Sequence, residues 1–367
     1  MQGRPLKGYD RRVKKTFLYD EHLAQGGKMV DFSGWLLPVQ YGGILKEHEC
    51  VRTACGVFDT SHMGELRVTG IGAKAFVNRV ISNNLEKIQA GQALYSPLLT
   101  EQGTFVDDLI VYEISDSEVF IVVNASNIDK DFSWILSKQK AFSFSGTVAN
   151  ESEAYSMLAV QGPKAPEVLD KIFPGEYAKL KAFSFSQLTY QGSGLFFSRT
   201  GYTGEEGVEL IVKNEAAVAL FQALLKAGAA PCGLGARDSL RLEKGYSLYG
   251  HEIDETTNAF EAGLGWTVDM GKKDFVGKAA LEKIKAGKLS RKLVGLTMID
   301  KGIPRNLYDI VKESGEKIGY VTSGTHAPSL GENIALAYIP ADYAGEKILV
   351  DIRGKKLWAK IGKRKFI

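Results

Sequence analysis

Only three cysteines, Cys50, Cys55 and Cys232, occur in 367 residues, and none forms a CxxC pair. A secreted disulfide framework asks for an even count, so free thiols and a reducing, cytoplasmic setting are expected. No apolar run approaches the ~18 residues that a membrane span needs. The five histidines (His22, His48, His62, His251, His326) lack metal-ligand spacing, and no metal is expected. Lys and Arg number 46 against 43 Asp and Glu, and a net +3 is too small to argue for nucleic acid. There is no repeat at a fixed period and no low-complexity tract. Gly233-Leu-Gly235-Ala-Arg237-Asp238 falls short of GxGxxG, so a dinucleotide cradle is poorly supported. The opening Met1 to Lys15 is basic but has no apolar core and contains Asp10; it reads as a short extension, neither signal nor transit peptide.

What is there is an ordinary globular composition, long enough for two or three domains. Its organising stretch is Gly103-Thr-Phe-Val-Asp107-Asp108-Leu-Ile-Val-Tyr112, two carboxylates at the mouth of a core strand. Strand alternation puts Val106, Asp108, Ile110 and Tyr112 on one face and Phe105, Asp107, Leu109 and Val111 on the other. Both faces are otherwise apolar, so at least one charge must be paired or hydrogen-bonded. An Asp pair bonding turn amides and a ligand-facing carboxylate both satisfy that need.

Before it, His22 to Tyr41 reads as a loop punctuated by Gly and Pro. Ala73, Phe76, Val77 and Val80 fall at helical spacing, and Leu94 to Thr100 and Thr104 to Glu113 form two strands around a short turn. Val119 to Val123 leads to a helix with Ile128, Phe132 and Ile135 on one face, opened by a capping-box-like Ser126 and Asp129. Glu209 sits mid-strand in Val208 to Val212, which is more often an exposed edge charge than a ligand contact. Asn214 is placed to cap the helix through Lys226. Arg237, Arg241 and Lys244 share a helix face, which pattern alone reads as a solvated basic stripe. From about Leu293 short strands with tight turns suggest a small antiparallel barrel or sandwich, after a linker at Ala286 to Arg291. The last fifteen residues hold seven Lys and Arg and no carboxylate, a solvated end or a patch for an acidic partner.

Taken in order, Lys28-Met-Val-Asp31-Phe-Ser-Gly-Trp35, Phe58-Asp-Thr-Ser-His62-Met63-Gly64-Glu65, Asp107-Asp108-Leu, Val123-Asn124-Ala-Ser-Asn127, Gln161-Gly-Pro163, Ser198-Arg-Thr-Gly-Tyr202-Thr-Gly-Glu205, Gly233-Leu-Gly-Ala-Arg237-Asp238-Ser-Leu-Arg241-Leu-Glu243 and Gly319-Tyr-Val-Thr-Ser323-Gly say more. The series resembles the T-proteins of the glycine cleavage system, the aminomethyltransferases, from about residue 16 to 366. The resemblance implies an α+β, three-domain cloverleaf of mostly antiparallel sheets with a C-terminal antiparallel β-barrel. The implied division is 1–285, two interleaved subdomains with an insertion at roughly 65–150, and 286–367. It also implies transfer of the methylene of an aminomethyl group, carried on the dihydrolipoyl arm of the H-protein, to tetrahydrofolate as co-substrate. Ammonia and 5,10-methylenetetrahydrofolate would be the products, with P- and L-proteins elsewhere in the pathway.

In that family the second Asp of Asp-Asp-Leu is functional, here Asp108. Positive charge builds on an iminium-like centre as ammonia departs, and a preorganised carboxylate stabilises it and relays a proton, typically worth ~10²–10⁴-fold. The same resemblance puts Tyr95, Tyr202, Glu209, Arg237, Met63 and Asn124 on folate. A carboxylate suits the donor edge of an aminopterin ring, Arg a carboxylate or ring carbonyl, and Tyr a stacking face. Two departures stand out. Family members read Pro-Phe near the C-terminus and run further to another ligand contact; here Lys363-Arg-Lys-Phe366-Ile367 stands, so that contact is expected to be missing or replaced by basic residues. Relatives linked to iron–sulfur maintenance carry Lys-Gly-Cys-Tyr-x-Gly-Gln-Glu, whereas this chain reads Lys244-Gly-Tyr246-Ser-Leu-Tyr249-Gly-His251-Glu252 without the cysteine. A non-catalytic folate binder and a folate-dependent demethylase remain the alternatives.

Overall fold

The structure is a computed structural model that describes residues 13–367, and most of the expected Met1 to Lys15 extension lies outside the described residues. Two sheets pack face to face with helices on their outer sides. The six-stranded sheet runs Phe185–Tyr190, Ser193–Ser198, Gly207–Lys213, Tyr155–Gln161, Gly56–Asp59, Ala230–Pro231 in spatial order. The five-stranded sheet runs Gln92–Leu99, Phe105–Ser115, Glu118–Val123, Gly64–Thr69, Thr147–Asn150. The second sheet is therefore drawn wholly from chain lying between two adjacent strands of the first.

Residue alternation builds the layers. Leu66, Val68, Val111, Val119 and Ile121 face helices Ala73–Val80 and Ile128–Ala141, while Tyr112, Phe120 and Val122 turn to the other sheet and meet Phe185, Phe196 and Ile211. Phe120 stacks on Phe196 with ring centroids 4.8 Å apart, and Tyr112 meets Phe185 edge-on at 5.4 Å. Such pairs contribute about 0.5–1.5 kcal/mol each beyond the area they bury, and they fix how one sheet sits on the other. The far side of the six-stranded sheet is covered by Ala165–Asp170 and the alanine-rich Asn214–Ala227, whose Ala217, Leu220, Phe221 and Leu224 are fully buried.

The C-terminal β region is a closed six-stranded antiparallel barrel of Arg291–Met298, Asp309–Val311, Lys317–Ala327, Glu332–Pro340, Lys347–Ile352 and Lys355–Gly362. Helix Leu234–Glu243 wedges between barrel and sheets. It approaches so closely that a side chain at Gly233 would come within 2.5 Å of the Val39 backbone. Fully buried Arg241 then donates to Glu252, Asp238, the Tyr246 carbonyl and Ser323 of the barrel at 2.7–2.9 Å.

Several local expectations are overturned. His22 to Tyr41 is not a loop: Tyr19–Ala24 is helical, and Lys28–Phe32 pairs with Trp35–Gln40 across a two-residue turn. That turn is made possible by Ser33 and Gly34 at φ 52° and 80°, with Asp31 accepting from the Gly34 amide at 2.9 Å. No Ser126–Asp129 capping box forms; Ala125–Asn127 is a 3₁₀ turn whose Asn127 side chain donates to Asp107, described below. Nor does Asn214 cap its helix, because its amide is taken by Ser156 and the Glu153 carbonyl. The chain end is not a free basic tail either. The Phe366 amide donates to the Glu243 carbonyl, and Arg364 donates to the carbonyls of Ala262 and Gly263.

Candidate active site

The organising strand is Phe105–Ser115, and its carboxylates owe their positions to an irregularity. Leu98 pairs with Asp107 but Leu99 with Phe105, so Val106 is an extra residue in the ladder. A bulge of this kind reverses the alternation on one side of itself. Val106 consequently joins Leu109 and Val111 in the helix-side core, and does not share a face with Asp108 as simple alternation implies; Phe105 turns to a separate cluster with Ile253 and Leu264.

Asp107 is fully buried and accepts three N–H bonds: the Asn124 backbone at 3.0 Å, the Asn124 amide at 2.8 Å and the Asn127 amide at 2.7 Å. Asp108 keeps partial exposure. Its carboxylate accepts from Tyr95 Oη at 2.8 Å and from Asn124 Nδ2 at 2.8 Å, so one amide bridges both aspartates. Burial and the neighbouring Asp107 push the Asp108 carboxyl up to about 7, against the opposing pull of the Tyr95 and Asn124 hydrogen bonds. It can thus exchange a proton at neutral pH. The Tyr95 phenol is likewise held away from ionisation, by burial and then by Asp108.

A second wall faces it. Glu209 lies on Gly207–Lys213, which has a strand on either side, so the expectation of an exposed edge charge fails: the residue is 6% exposed. Thr200 donates to it at 2.6 Å; burial raises its carboxyl, with Thr200 and Arg237 resisting. Arg237 is no part of a solvated stripe. Its guanidinium lies 4.8 Å from the Tyr202 ring centre, and burial lowers its proton affinity while Glu209 and Tyr202 sustain it. Tyr202 donates to the Ser247 carbonyl and stacks on Tyr246 at 5.8 Å. Tyr202 feels the charge of both Asp108 and Arg237, which joins the two walls into one electrostatic unit.

Three polar atoms of this region are buried without a partner among the described residues: His62 Nδ1, Arg237 Nη1 and Ser247 Oγ. Leaving such atoms unpaired costs about 1–3 kcal/mol each, so they are suited to a ligand that brings its own donors and acceptors. His62 is held down at about 4 by burial and then by Arg237, and is a neutral imidazole.

Tyr95, Asp108, Asn124, Tyr202, Glu209 and Arg237 are thus brought together, while Met63 packs on the aromatic cluster between the sheets. His62, Ser247 and Trp266 were not anticipated. Trp266 is 73% exposed with its ring 6.3 Å from that of Tyr95, an open aromatic beside this cluster. Arg364, in the stretch where a family contact was expected to be missing, is close enough to Tyr95 and Glu252 to be influenced by both.

Comparison with known proteins agrees with this architecture. Residues 18–272 match the family model described as the GCVT N-terminal domain, and residues 291–367 the glycine cleavage T-protein C-terminal barrel domain. The chain is 45% identical to an aminomethyltransferase of Halothermothrix orenii over 97% of this chain and 100% of that one. It is 46% identical to one of Desulforamulus reducens over 97% and 98% of the two chains. The crystal structure of glycine cleavage system aminomethyltransferase T from Bartonella henselae superposes with a TM-score of 0.90 at 34% identity, covering 97% of this chain and 98% of that one. The chain belongs to the glycine cleavage T-protein family and is an aminomethyltransferase.

Proposed function

We propose that the chain takes the aminomethyl group carried on the dihydrolipoyl arm of an H-protein, passes its methylene to tetrahydrofolate and releases ammonia, with Asp108 as the reacting carboxylate. The observation that carries this reading is Asp108 itself. It is fixed by Tyr95 and Asn124, titrates near neutrality, and faces a wall bearing one carboxylate and one guanidinium. During transfer the migrating carbon exchanges its bonds to sulfur and to the departing nitrogen, and positive charge grows there. An oriented carboxylate stabilises that charge without having to reorganise, and it accepts or returns a proton as ammonia leaves.

The residues fit the co-substrate. Glu209 is suited to accept paired N–H bonds from an aminopterin edge, Arg237 to donate to a ring carbonyl or a carboxylate, and Tyr95 and Tyr202 to line the ring faces. The unpartnered atoms of His62, Arg237 and Ser247 match a ring that presents donors and acceptors along its rim. Bound tetrahydrofolate supplies the nitrogen nucleophiles that receive the carbon. Asn124 serves by holding Asp107 and Asp108 in register, and Met63 by backing the pocket. Within this reading 1–285 forms the folate-binding region, with roughly 65–150 inserted, 286–367 closes it from the barrel side, and the enzyme works in the cytoplasm.

The test is release of ammonia and 5,10-methylenetetrahydrofolate from aminomethyl-loaded H-protein, wild type beside Asp108→Asn. A fall of about tenfold or more is expected from the loss of a positioned acid–base group. Wild-type turnover in the variant would remove Asp108 from the reaction.

A further inference from the structure

Behind Asp108 and Asp107 lies a third carboxyl that the reaction as described does not use. Asp131 stands in the first turn of helix Ile128–Ala141, is 0% exposed, and has neither oxygen in contact with an N–H or O–H donor among the described residues. The group it meets is the Asp107 carboxyl. Its chain neighbour Lys130 donates instead to Tyr249 Oη at 2.6 Å and to Glu255 at 3.2 Å, and its charge opposes the rise of the Asp131 carboxyl only in part.

The two carboxyls are supplied very unequally. Asp107 has three N–H donors and Asp131 has none. Two buried carboxyls in hydrogen-bonding contact cannot both be ionised without a large penalty, so one proton must lie between them. It belongs on the member whose anion has no donor, and in that form Asp131 becomes the missing donor. Burial first, then the charge of Asp107, drive the Asp131 carboxyl up to about 11, in the same direction as the geometry.

We propose that Asp131 is a positioning residue: it remains a neutral acid throughout the working pH range and donates its proton to Asp107. The buried pair then carries one fixed negative charge, and Asp108 is the only carboxyl of the three that exchanges protons with a substrate. This rests on the reading of Asp108 as the reacting carboxylate. The other groups that face the triad are accounted for. Tyr95 and Asn124 hold Asp108 from the neighbouring strand and turn, Tyr202 faces it from the opposite wall, and Tyr249, tied to Lys130, faces Asp107. None of these offers Asp131 a proton donor.

Asp131→Asn separates the proposal from a merely structural role, because an amide can still donate to Asp107 and leaves the charge unchanged if Asp131 is neutral. Expected for this variant are turnover within about twofold of wild type, an unmoved acid limb of the kcat–pH profile, and loss of one protonated-carboxyl C=O band from the infrared spectrum at pH 8. Asp131→Ala, which removes the donor, should lower kcat on the order of tenfold, the cost of one hydrogen bond to a charged group, with KM for tetrahydrofolate unchanged. If Asp131→Asn moves the acid limb down by a pH unit or more, or if no protonated-carboxyl band is lost, Asp131 is an anion and the proposal fails. The infrared arm needs no turnover. No band lost in Asp131→Asn beside an inactive Asp108→Asn would sink the Asp131 assignment alone, whereas a band lost in Asp131→Asn beside a fully active Asp108→Asn would sink the reading of Asp108.

Discussion

Asp108 has a measurable cost to the fold. Its carboxyl is raised to about 7 in the folded chain, against about 3.9 for an unperturbed aspartate. Because the folded value is the higher one, stability linked to this group is fully present below about pH 4 and is lost as pH rises through about 7. Three pH units at 1.36 kcal/mol each give roughly 4 kcal/mol. Asp108 is partly exposed, so solvent screens it, and halving the figure gives about 2 kcal/mol. Asp108→Asn should therefore be more stable than wild type at pH 8 by about that amount, a rise of several degrees in Tm, and indistinguishable from it near pH 4. The comparison between the two pH values cancels the change in hydrogen-bond pattern, since a protonated Asp108 also offers one donor and one acceptor. Paired thermal melts at pH 4 and pH 8, beside the transfer assay, measure it. A stability difference that does not grow with pH, or a variant less stable at pH 8, would refute the argument that Asp108 is a strained, proton-exchanging carboxyl.

Other perturbations have equally direct readouts. Arg241→Ala strands the fully buried Glu252, whose remaining donors are Thr322 and the Leu248 amide, and should cost about 3–5 kcal/mol in denaturant melts; a loss under 1 kcal/mol would contradict the pairing. Glu209→Gln keeps Thr200 as a donor but weakens recognition of paired N–H groups, so KM for tetrahydrofolate should rise about tenfold or more, consistent with a charge-assisted pair; an unchanged KM would move the pterin elsewhere. His62 should not titrate near 6.5 by NMR but at about 4. Since its folded value is depressed, stability is lost as pH falls from about 6.5 towards 4. Gly245→Ala would place a Cβ 2.2 Å from the Arg364 carbonyl at a φ of 68°, so hydrogen exchange at the Phe366 amide should quicken markedly as the chain end is unseated.

The sequence made some of this legible and hid the rest for identifiable reasons. Glu118–Val123 was readable as a short continuous apolar run that is buried on both faces, and the barrel strands were readable because tight turns bound them. Asp108 drew notice because a carboxylate in a core strand needs an explanation. The bulge at Val106 could not be seen, since nothing in Phe-Val-Asp-Asp announces an unpaired residue; only the partner strand creates it. Arg237 and Arg241 looked like a solvated stripe because helical spacing tells which residues share a face, not what covers that face. Here Tyr202, Glu252 and the barrel cover it, and of these Tyr202 and the barrel strands lie far from the helix in sequence. The helix start was read on Ser126 and Asp129, whereas Asn124 and Asn127 furnish the amides that hold two aspartates, a use that depends on a strand they meet only in three dimensions.

The interleaving of the two sheets has a consequence for how the enzyme is made. Every strand of the five-stranded sheet emerges from the ribosome before Tyr155–Gln161 and Ala230–Pro231, the partners that Gly56–Asp59 awaits. At roughly 5–20 residues per second, Tyr155–Gln161 follows within about 0.5–2 s but Ala230–Pro231 only after about 4–16 s. The Asp108 wall can thus mature alone, while the Glu209 and Arg237 wall is still being synthesised. Once folded, the early unit also clips its own two ends together, through the Glu151 amide on the Glu65 carbonyl at 2.8 Å and the Glu65 amide on Ser152 Oγ at 2.9 Å. A long closing loop thereby becomes a short one for the next sheet to bridge. Substitutions at that clip, remote from any reacting atom, should delay the appearance of activity in a coupled translation reaction more than they alter the finished enzyme.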